Sequence, residues 1–128
     1  MSLPATSLLA GLFSVAMVLL SVQISVRRFK TGIAAGDGGE DRTLRRRVRA
    51  HGNFIEYAPT ALLATGLVEY AAGTTAFVWG LAGVFFLSRL VHALGMLYAS
   101  SPAARAVAML AQHGAFLAAG LWLIARAM

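Results

Sequence analysis

Four long, mainly apolar runs divide this 128-residue chain and constrain its fold more than any other feature. They cover residues 3–26, 43–72, 76–99 and 103–125. Each run is long enough for an α-helix that crosses the ~30 Å hydrocarbon core of a membrane, which takes about 20 residues. Hydrophobic residues make up 59% of the chain and charged residues 12%, a balance typical of integral membrane proteins. We therefore predict an all-α, integral membrane four-helix bundle that forms a single domain over residues 1–128.

Basic residues are concentrated at one end of the predicted bundle. The connection between the first two runs and its flanks hold Arg27, Arg28, Lys30, Arg42, Arg45, Arg46, Arg47 and Arg49. Arg105 opens the fourth run at the same end, whereas Arg126 lies at the other. The positive-inside rule then predicts cytoplasmic basic connections and termini on the outer side. Because the net charge of +6 lies beside membrane spans, it predicts contact with lipid headgroups and no binding of nucleic acid.

The stretch RTLRRRVRAHGNFIEYAP, from Arg42 to Pro59, carries polar side chains into an apolar segment. On a helix, Arg49, Asn53 and Glu56 fall at i, i+4 and i+7 and therefore share one face. Arg89 and His92 are three residues apart in the third run and share a face of their own. Charged groups inside a membrane are costly, so each is a functional candidate that needs a partner.

Two interpretations of these intramembrane charges remain open from the residues alone. One is a purely structural ion pair between Glu56 and Arg89. The other is a binding site, because the same half of the bundle holds more cations and hydrogen-bond donors than one carboxylate can satisfy. That set is Arg49, Asn53, Glu56, Arg89, His92, Arg105 and Gln112. Such a surplus, reached from the cytoplasm, favours an anionic ligand with several carboxylates.

Other conspicuous residues have simpler interpretations. The three histidines, His51, His92 and His113, lie on different elements without paired spacing, and the chain has no cysteine, so no metal site is predicted. We interpret His113 as a partner in a contact between helices. Glu69, Tyr70 and Trp79, near the outer end, are predicted to be anchors at the membrane interface.

Three motifs resemble the MAPEG family, the membrane-associated proteins in eicosanoid and glutathione metabolism, and in particular its small bacterial members. They are GDGG at 36–39, RAHGNFIEYAP at 49–59 and SRLVHALGMLYA at 88–99. The resemblance implies a four-helix subunit that assembles as a homotrimer in a bacterial inner membrane. It also implies that glutathione binds as a co-substrate between subunits, in a cleft that faces the cytoplasm.

The resemblance also implies roles for individual residues. The glutathione-binding positions are matched by Arg49, Asn53 and Glu56 on the second helix, by Arg89 and His92 on the third, and by Arg28 or Lys30 near the end of the first. Arg105 matches the catalytic arginine that faces the glutathione sulfur. Three positions depart from the pattern of relatives: Gly52 replaces an arginine, Met96 a tyrosine and Ala106 a serine. These departures disfavour prostaglandin or leukotriene synthesis and leave thiolate stabilisation mainly to Arg105.

We therefore expect a glutathione-dependent transferase or peroxidase that acts on lipophilic electrophiles. A cation near sulfur favours the thiolate, which is the nucleophilic form. The alternative is a noncatalytic binding or scaffold protein with the same fold. A small multidrug transporter is a third hypothesis, although the arginines around Glu56 would repel cationic drugs.

Overall fold

The structure is a computed structural model that describes residues 2–98 and 102–128, and these residues form four α-helices. The helices are α1 (Pro4–Thr31), α2 (Arg42–Ala72), α3 (Ala76–Leu97) and α4 (Pro102–Ala127). No strand occurs in the described ranges, and the prediction of an all-α four-helix bundle is confirmed. The predicted end of the third span at Ala99 and the turn at Ser100 and Ser101 lie outside the described residues.

Helix α1 continues past the predicted boundary at residue 26 and ends at Thr31. The added turn contains Arg28 and Lys30, whose positive charges are favourable at the negative end of the helix dipole. Gly32 then ends the helix with a φ of 71°, in the left-handed region, and its N–H donates to the Arg28 carbonyl. The basic residues therefore extend the helix beyond its apolar part.

Helices α2 and α3 hold the bundle together because each packs against all three other helices. The pairs α1–α2, α2–α3 and α3–α4 form the main interfaces, whereas α1 and α4 do not meet in the described part of the chain. Aromatic rings fill two of these interfaces. The Phe13 and Phe54 rings meet edge to face at 5.3 Å between α1 and α2, and the Phe85 and Phe116 rings lie 4.7 Å apart between α3 and α4.

The outer surface of the bundle is apolar, as a lipid-facing surface must be. Three of the four described helices, α1, α3 and α4, are long and apolar enough to cross a membrane. Helix α2 has five arginines among residues 42–49, so only its later part is comparably apolar. Large hydrophobic side chains are exposed along the helices, including Val15, Leu19, Leu63, Leu87, Leu110 and Leu117. The chain is therefore an integral membrane protein.

The connection between α1 and α2 is an ordered loop held by arginine side chains. Arg28 donates to the carbonyls of Ile33 at 3.2 Å and Gly36 at 2.6 Å, and Arg45 donates to the Gly39 carbonyl. The loop turns closely against the start of α2. A Cβ at Gly38 would lie 2.7 Å from the backbone nitrogen of Arg45, and the φ of Gly38 is +108°. Glycine is therefore required at this position for two independent reasons.

Asp41 caps the N-terminus of α2 and ties it to α1. Its Oδ1 accepts a hydrogen bond from the Leu44 N–H at 2.9 Å, and its Oδ2 accepts one from Arg27 Nε at 2.9 Å. The Leu44 N–H, together with Arg27, holds the pKa of the Asp41 carboxyl below its ordinary value. The contact therefore stabilises the fold at pH values above the unfolded pKa, and the stabilisation is lost as the pH falls through the lowered folded pKa.

At the opposite end of the bundle, Glu69 of α2 caps the N-terminus of α1. Its carboxylate accepts hydrogen bonds from the N–H groups of Ala5 at 3.0 Å and Thr6 at 2.8 Å. The hydroxyls of Thr6 and Thr74 donate to it at 2.6 and 2.8 Å. Helix α1 has no local side-chain cap, since Leu3 occupies the N-cap position.

The interpretation of Glu69 as an interfacial anchor is wrong, because only 1% of the residue is exposed. The carboxylate can be buried because four donors replace its water, two of them at the positive end of a helix dipole. Tyr70 and Trp79, by contrast, are 64% and 43% exposed, which fits the interface.

We expect Glu69→Ala to lower the free energy of unfolding by about 2 kcal/mol, because two N–H groups at the start of α1 lose their acceptor. Thermal denaturation in detergent, followed by circular dichroism, measures the effect. Tyr70→Ala is the control, because that neighbouring side chain is exposed. This variant should have a melting temperature close to that of the native chain. Equal melting temperatures of the two variants would contradict the capping role of Glu69.

We expect Gly38→Ala to destabilise the loop by about 1–3 kcal/mol, because it combines a forced close contact with a strained backbone. Gly39→Asn is the matched control. Gly39 has a φ of +52°, which asparagine tolerates, and nothing lies within 4 Å of its added Cβ. Thermal denaturation and limited proteolysis of the loop should separate the two variants, and the same result for both would refute the steric argument.

Candidate functional site

The candidate site centres on Arg89, which is 2% exposed in the middle of the bundle. Its Nη1 donates to Asn53 Oδ1 of α2 at 2.6 Å, and its Nη2 donates to Met109 Sδ of α4 at 3.1 Å. The guanidinium carbon also lies 4.9 Å from the centre of the Tyr57 ring, within the range of a cation–π contact. One cation on α3 therefore binds α2 and α4.

The structure contradicts the interpretation that Glu56 and Arg89 form an ion pair. Glu56 is exposed, and no ion pair between the two occurs in the described residues. Asn53 lies one turn earlier on α2 and faces Arg89 instead. A neutral amide and an aromatic face satisfy the guanidinium without the desolvation cost of a second buried charge.

His92 and Arg105 lie beside Arg89. His92 is one turn further along α3, is 7% exposed, and interacts electrostatically with both Arg89 and Arg105. Arg105, on the first turn of α4, donates from Nη1 to Met96 Sδ at 3.5 Å. A Cβ at Gly95 would lie 3.1 Å from Arg105 Cγ, so the absence of a side chain there lets the arginine lie close against α3.

Four of the predicted site residues therefore form one group, which we call the polar cluster: Asn53, Arg89, His92 and Arg105. The other predicted residues lie elsewhere on the single chain. Arg49 and Glu56 are exposed on α2. Arg28 is half-buried and holds the loop through the carbonyls of Ile33 and Gly36, while Lys30 is exposed.

The structure also adds contacts that the sequence did not predict. Tyr57 and Met109 contact Arg89, and Met96 contacts Arg105. Tyr57 belongs to the second-helix motif and lies four residues after Asn53, so helical spacing could have found it. The two methionines give no such indication, because their sequence context is that of ordinary apolar residues.

Buried hydrogen-bond donors exceed acceptors around the polar cluster. Three buried side-chain nitrogens lack an acceptor among the described residues: Arg89 Nε, Arg105 Nε and Gln112 Nε2. Gln112 is fully buried, and its Oε1 lies 3.3 Å from the Ser88 hydroxyl. Unpaired buried donors are costly, so the arrangement favours a ligand that supplies acceptor atoms.

No group of three or more acidic or histidine residues that could hold a metal ion occurs in the part of the chain that the structure describes. His51 is partly buried on α2. His113 packs its ring 6.1 Å from that of Tyr57, which is a contact between α4 and α2.

We expect Asn53→Leu to destabilise the bundle by about 3 kcal/mol, because it leaves the buried Arg89 without its oxygen acceptor. Asn53→Asp is the matched control, since it keeps an oxygen in reach. The double variant Asn53→Leu/Arg89→Met should recover most of the loss, because the unpaired charge is removed as well. Thermal denaturation of the native protein, Asn53→Leu, Arg89→Met and the double variant measures this cycle, and purely additive losses would show that the two residues are not coupled.

The whole-chain comparison agrees with the architecture and with the motifs on α2 and α3. The sequence profile of the MAPEG family matches residues 6–125, a range that includes nearly all of the four helices and the polar cluster. No curated protein and no solved structure matches the chain significantly. Since the family match covers almost the full length, the chain is a member of the MAPEG family.

Proposed function

We propose that the protein is a membrane-bound, glutathione-dependent transferase or peroxidase that acts on lipophilic electrophiles. MAPEG proteins are generally glutathione-dependent transferases, peroxidases or related proteins. The observation that carries the proposal is the donor-rich polar cluster, in which Arg89 and Arg105 each keep a buried nitrogen that has no acceptor among residues 2–98 and 102–128. A site rich in cations and hydrogen-bond donors costs free energy inside a membrane protein unless it binds an anion.

The residues present fit glutathione, which has two carboxylates, one ammonium group and a thiol. Asn53, Arg89 and His92 would supply donors for its carboxylate and amide oxygens. Glu56 is the acidic side chain on the same helix as Asn53 and would pair with the ammonium group, and Arg49 would bind a carboxylate. The carboxylates and the ammonium group of the ligand would therefore each have a partner of opposite charge.

Arg49 and Glu56 are exposed on the single chain, whereas the polar cluster is largely buried. A site that includes both sets would be completed where α2 of one copy meets a neighbouring copy. This supports assembly as a homotrimer, as the family resemblance implies, with the site at the junction between subunits. Arg28 or Lys30 near the end of α1 would then approach from a second subunit.

Arg105 is the proposed catalytic residue. Its guanidinium would favour the thiolate of glutathione over the thiol, with the released proton passing to solvent. With an aryl chloride, the sulfur forms a bond to the ring carbon, the carbon–chlorine bond breaks, and chloride leaves with the electron pair. With a hydroperoxide, two thiols supply two electrons and two protons, which yields an alcohol, water and a glutathione disulfide.

We also propose a bacterial inner membrane location with the α1–α2 loop in the cytoplasm. The loop and its flanks carry most of the basic residues, and the loop lies at the same end of the bundle as Arg105. At the other end, Arg126 lies over the Trp122 ring at 5.6 Å, as expected for an outer interfacial anchor. Cytosolic glutathione would then reach the site directly.

We expect detergent-purified protein to bind glutathione in calorimetry and to conjugate it to 1-chloro-2,4-dinitrobenzene. Arg49→Ala and Glu56→Gln should each weaken binding by about 10- to 100-fold, because a charge-assisted hydrogen bond is lost. Arg105→Gln should retain binding but raise the pKa of the bound thiol by about 1–3 units, measured from ultraviolet thiolate absorbance.

Arg126→Ala is the control for these variants, since it removes an arginine from the opposite end of the bundle. It should bind and conjugate like the native protein. Glutathione binding without conjugation would favour a noncatalytic binding protein. The absence of binding, or proton-coupled efflux by reconstituted vesicles, would overturn the proposal.

A further inference from the structure

Two methionine sulfurs lie against the two arginines of the polar cluster. Met96 of α3 accepts a hydrogen bond from Arg105 Nη1 at 3.5 Å, and Met109 of α4 accepts one from Arg89 Nη2 at 3.1 Å. A thioether is a weak acceptor, whereas a guanidinium carries five N–H donors and a full positive charge. Each contact therefore pairs a strong donor with a group that holds it weakly.

The Met96 sulfur is the contact on which the position of Arg105 depends most. It is the one hydrogen-bond acceptor of Arg105 among the described residues, since Arg105 Nε is buried without an acceptor there. Gly95 lets the arginine lie against α3, which keeps it beside this sulfur. Arg89, by contrast, also has the Asn53 oxygen at 2.6 Å. A change in the chemistry of the Met96 sulfur therefore acts directly on Arg105.

Oxidation is the chemical change to which a thioether is open. A hydroperoxide transfers its outer oxygen to Sδ, which forms the sulfur–oxygen bond and breaks the oxygen–oxygen bond. Sulfur loses two electrons, and the peroxide gains them and leaves as an alcohol that keeps the hydroperoxide proton. The product is a polar sulfoxide in place of an apolar thioether. The Met96 side chain is partly exposed, so an oxidant can reach it.

The neighbouring guanidinium favours this reaction at Met96. Negative charge develops on the departing oxygen as the peroxide bond breaks, and a fixed donor beside it lowers the barrier. Met17 and Met128 are more accessible, at 44% and 99% exposed, but neither forms a hydrogen bond with an arginine in the part of the chain that the structure describes. They are therefore internal controls for accessibility without the donor.

We propose that Met96 is an oxidation site: a hydroperoxide converts its thioether to the sulfoxide, and the new oxygen holds the Arg105 guanidinium away from the glutathione sulfur. The effect on turnover rests on the proposed function, whereas the oxidation itself does not. Withdrawal of Arg105 removes the cation that favours the thiolate, so hydroperoxide in excess over glutathione shuts off conjugation. Reduction by a methionine sulfoxide reductase would restore the thioether.

Peptide mass spectrometry after treatment with cumene hydroperoxide tests the site without glutathione, because each sulfoxide adds one oxygen atom to its peptide. We expect Arg105→Gln to slow the oxidation of Met96 about tenfold, since the donor beside the sulfur is weakened. The rates at Met17 and Met128 should stay the same. Arg126→Gln is the matched control and should change none of these rates. Equal rates at Met96 in the two variants would overturn the inference.

Loss of activity identifies the sulfur that matters. Protein is treated with cumene hydroperoxide, freed of it, and assayed with glutathione and 1-chloro-2,4-dinitrobenzene against its own untreated sample. We expect the native protein to lose about tenfold in rate, and Met96→Leu to keep its rate, because leucine has a similar volume and no sulfur. Met17→Leu and Met109→Leu are the controls and should lose activity as the native protein does. Protection by either control in place of Met96→Leu would overturn the assignment.

The outcomes separate the two proposals. Oxidation of Met96 that depends on Arg105, in a protein that does not bind glutathione, would overturn the proposed function and leave the oxidation site supported. Conjugation that persists after Met96 is fully oxidised would overturn the inference and leave the proposed function supported. Should Met96→Leu fail to fold, the thiolate absorbance of glutathione bound to the native protein decides, because it should fall in proportion to Met96 sulfoxide and independently of Met17 sulfoxide.

Discussion

The structure depends on the contacts that the bundle supplies to the guanidinium of Arg89, from which water is excluded. The cation takes an amide oxygen from α2, a thioether sulfur from α4 and the face of an aromatic ring. Each contact fixes one helix relative to α3, because a charge left unpaired in hydrocarbon would cost several kcal/mol. The same residue therefore fixes the packing of α2 and α4 and belongs to the proposed site.

A second buried charge, Glu69, organises the opposite end by the same principle. Neither residue forms an ion pair within the described part of the chain. Glu69 is satisfied by N–H groups and hydroxyls at the start of α1, and Arg89 by neutral acceptors. Hydrogen bonds from dipoles avoid the burial of a second ion, whose desolvation can exceed the gain from pairing. Both contacts involve α2, which packs against all three other helices, as α3 also does.

Helix α3 separates two environments of different polarity. Towards α4 it presents Ser88, Arg89 and His92, beside the donors of Gln112 and Arg105. Towards α1 it presents apolar side chains that line a small cavity open to the bilayer. Arg89 contributes to each side, through its contacts with Asn53 and Met109 and as part of the cavity wall.

The sequence by itself determined the four helices and the membrane setting, because apolar runs of sufficient length have no other stable form in a bilayer. It also determined the shared face of Arg89 and His92, which follows from their spacing of three residues. Spacing could not decide that Arg89 binds Asn53 and not Glu56. The two α2 residues are less than one turn apart, and only the packing of α2 against α3 distinguishes their directions.

Only the tertiary structure decided the role of Glu69, whose partners Ala5 and Thr6 lie more than 60 residues away. Helical periodicity defines which residues share a face, but it does not say which face meets which neighbour. The cavity beside α1 is undetectable in sequence for the same reason, because it is defined by the space that three helices leave between them.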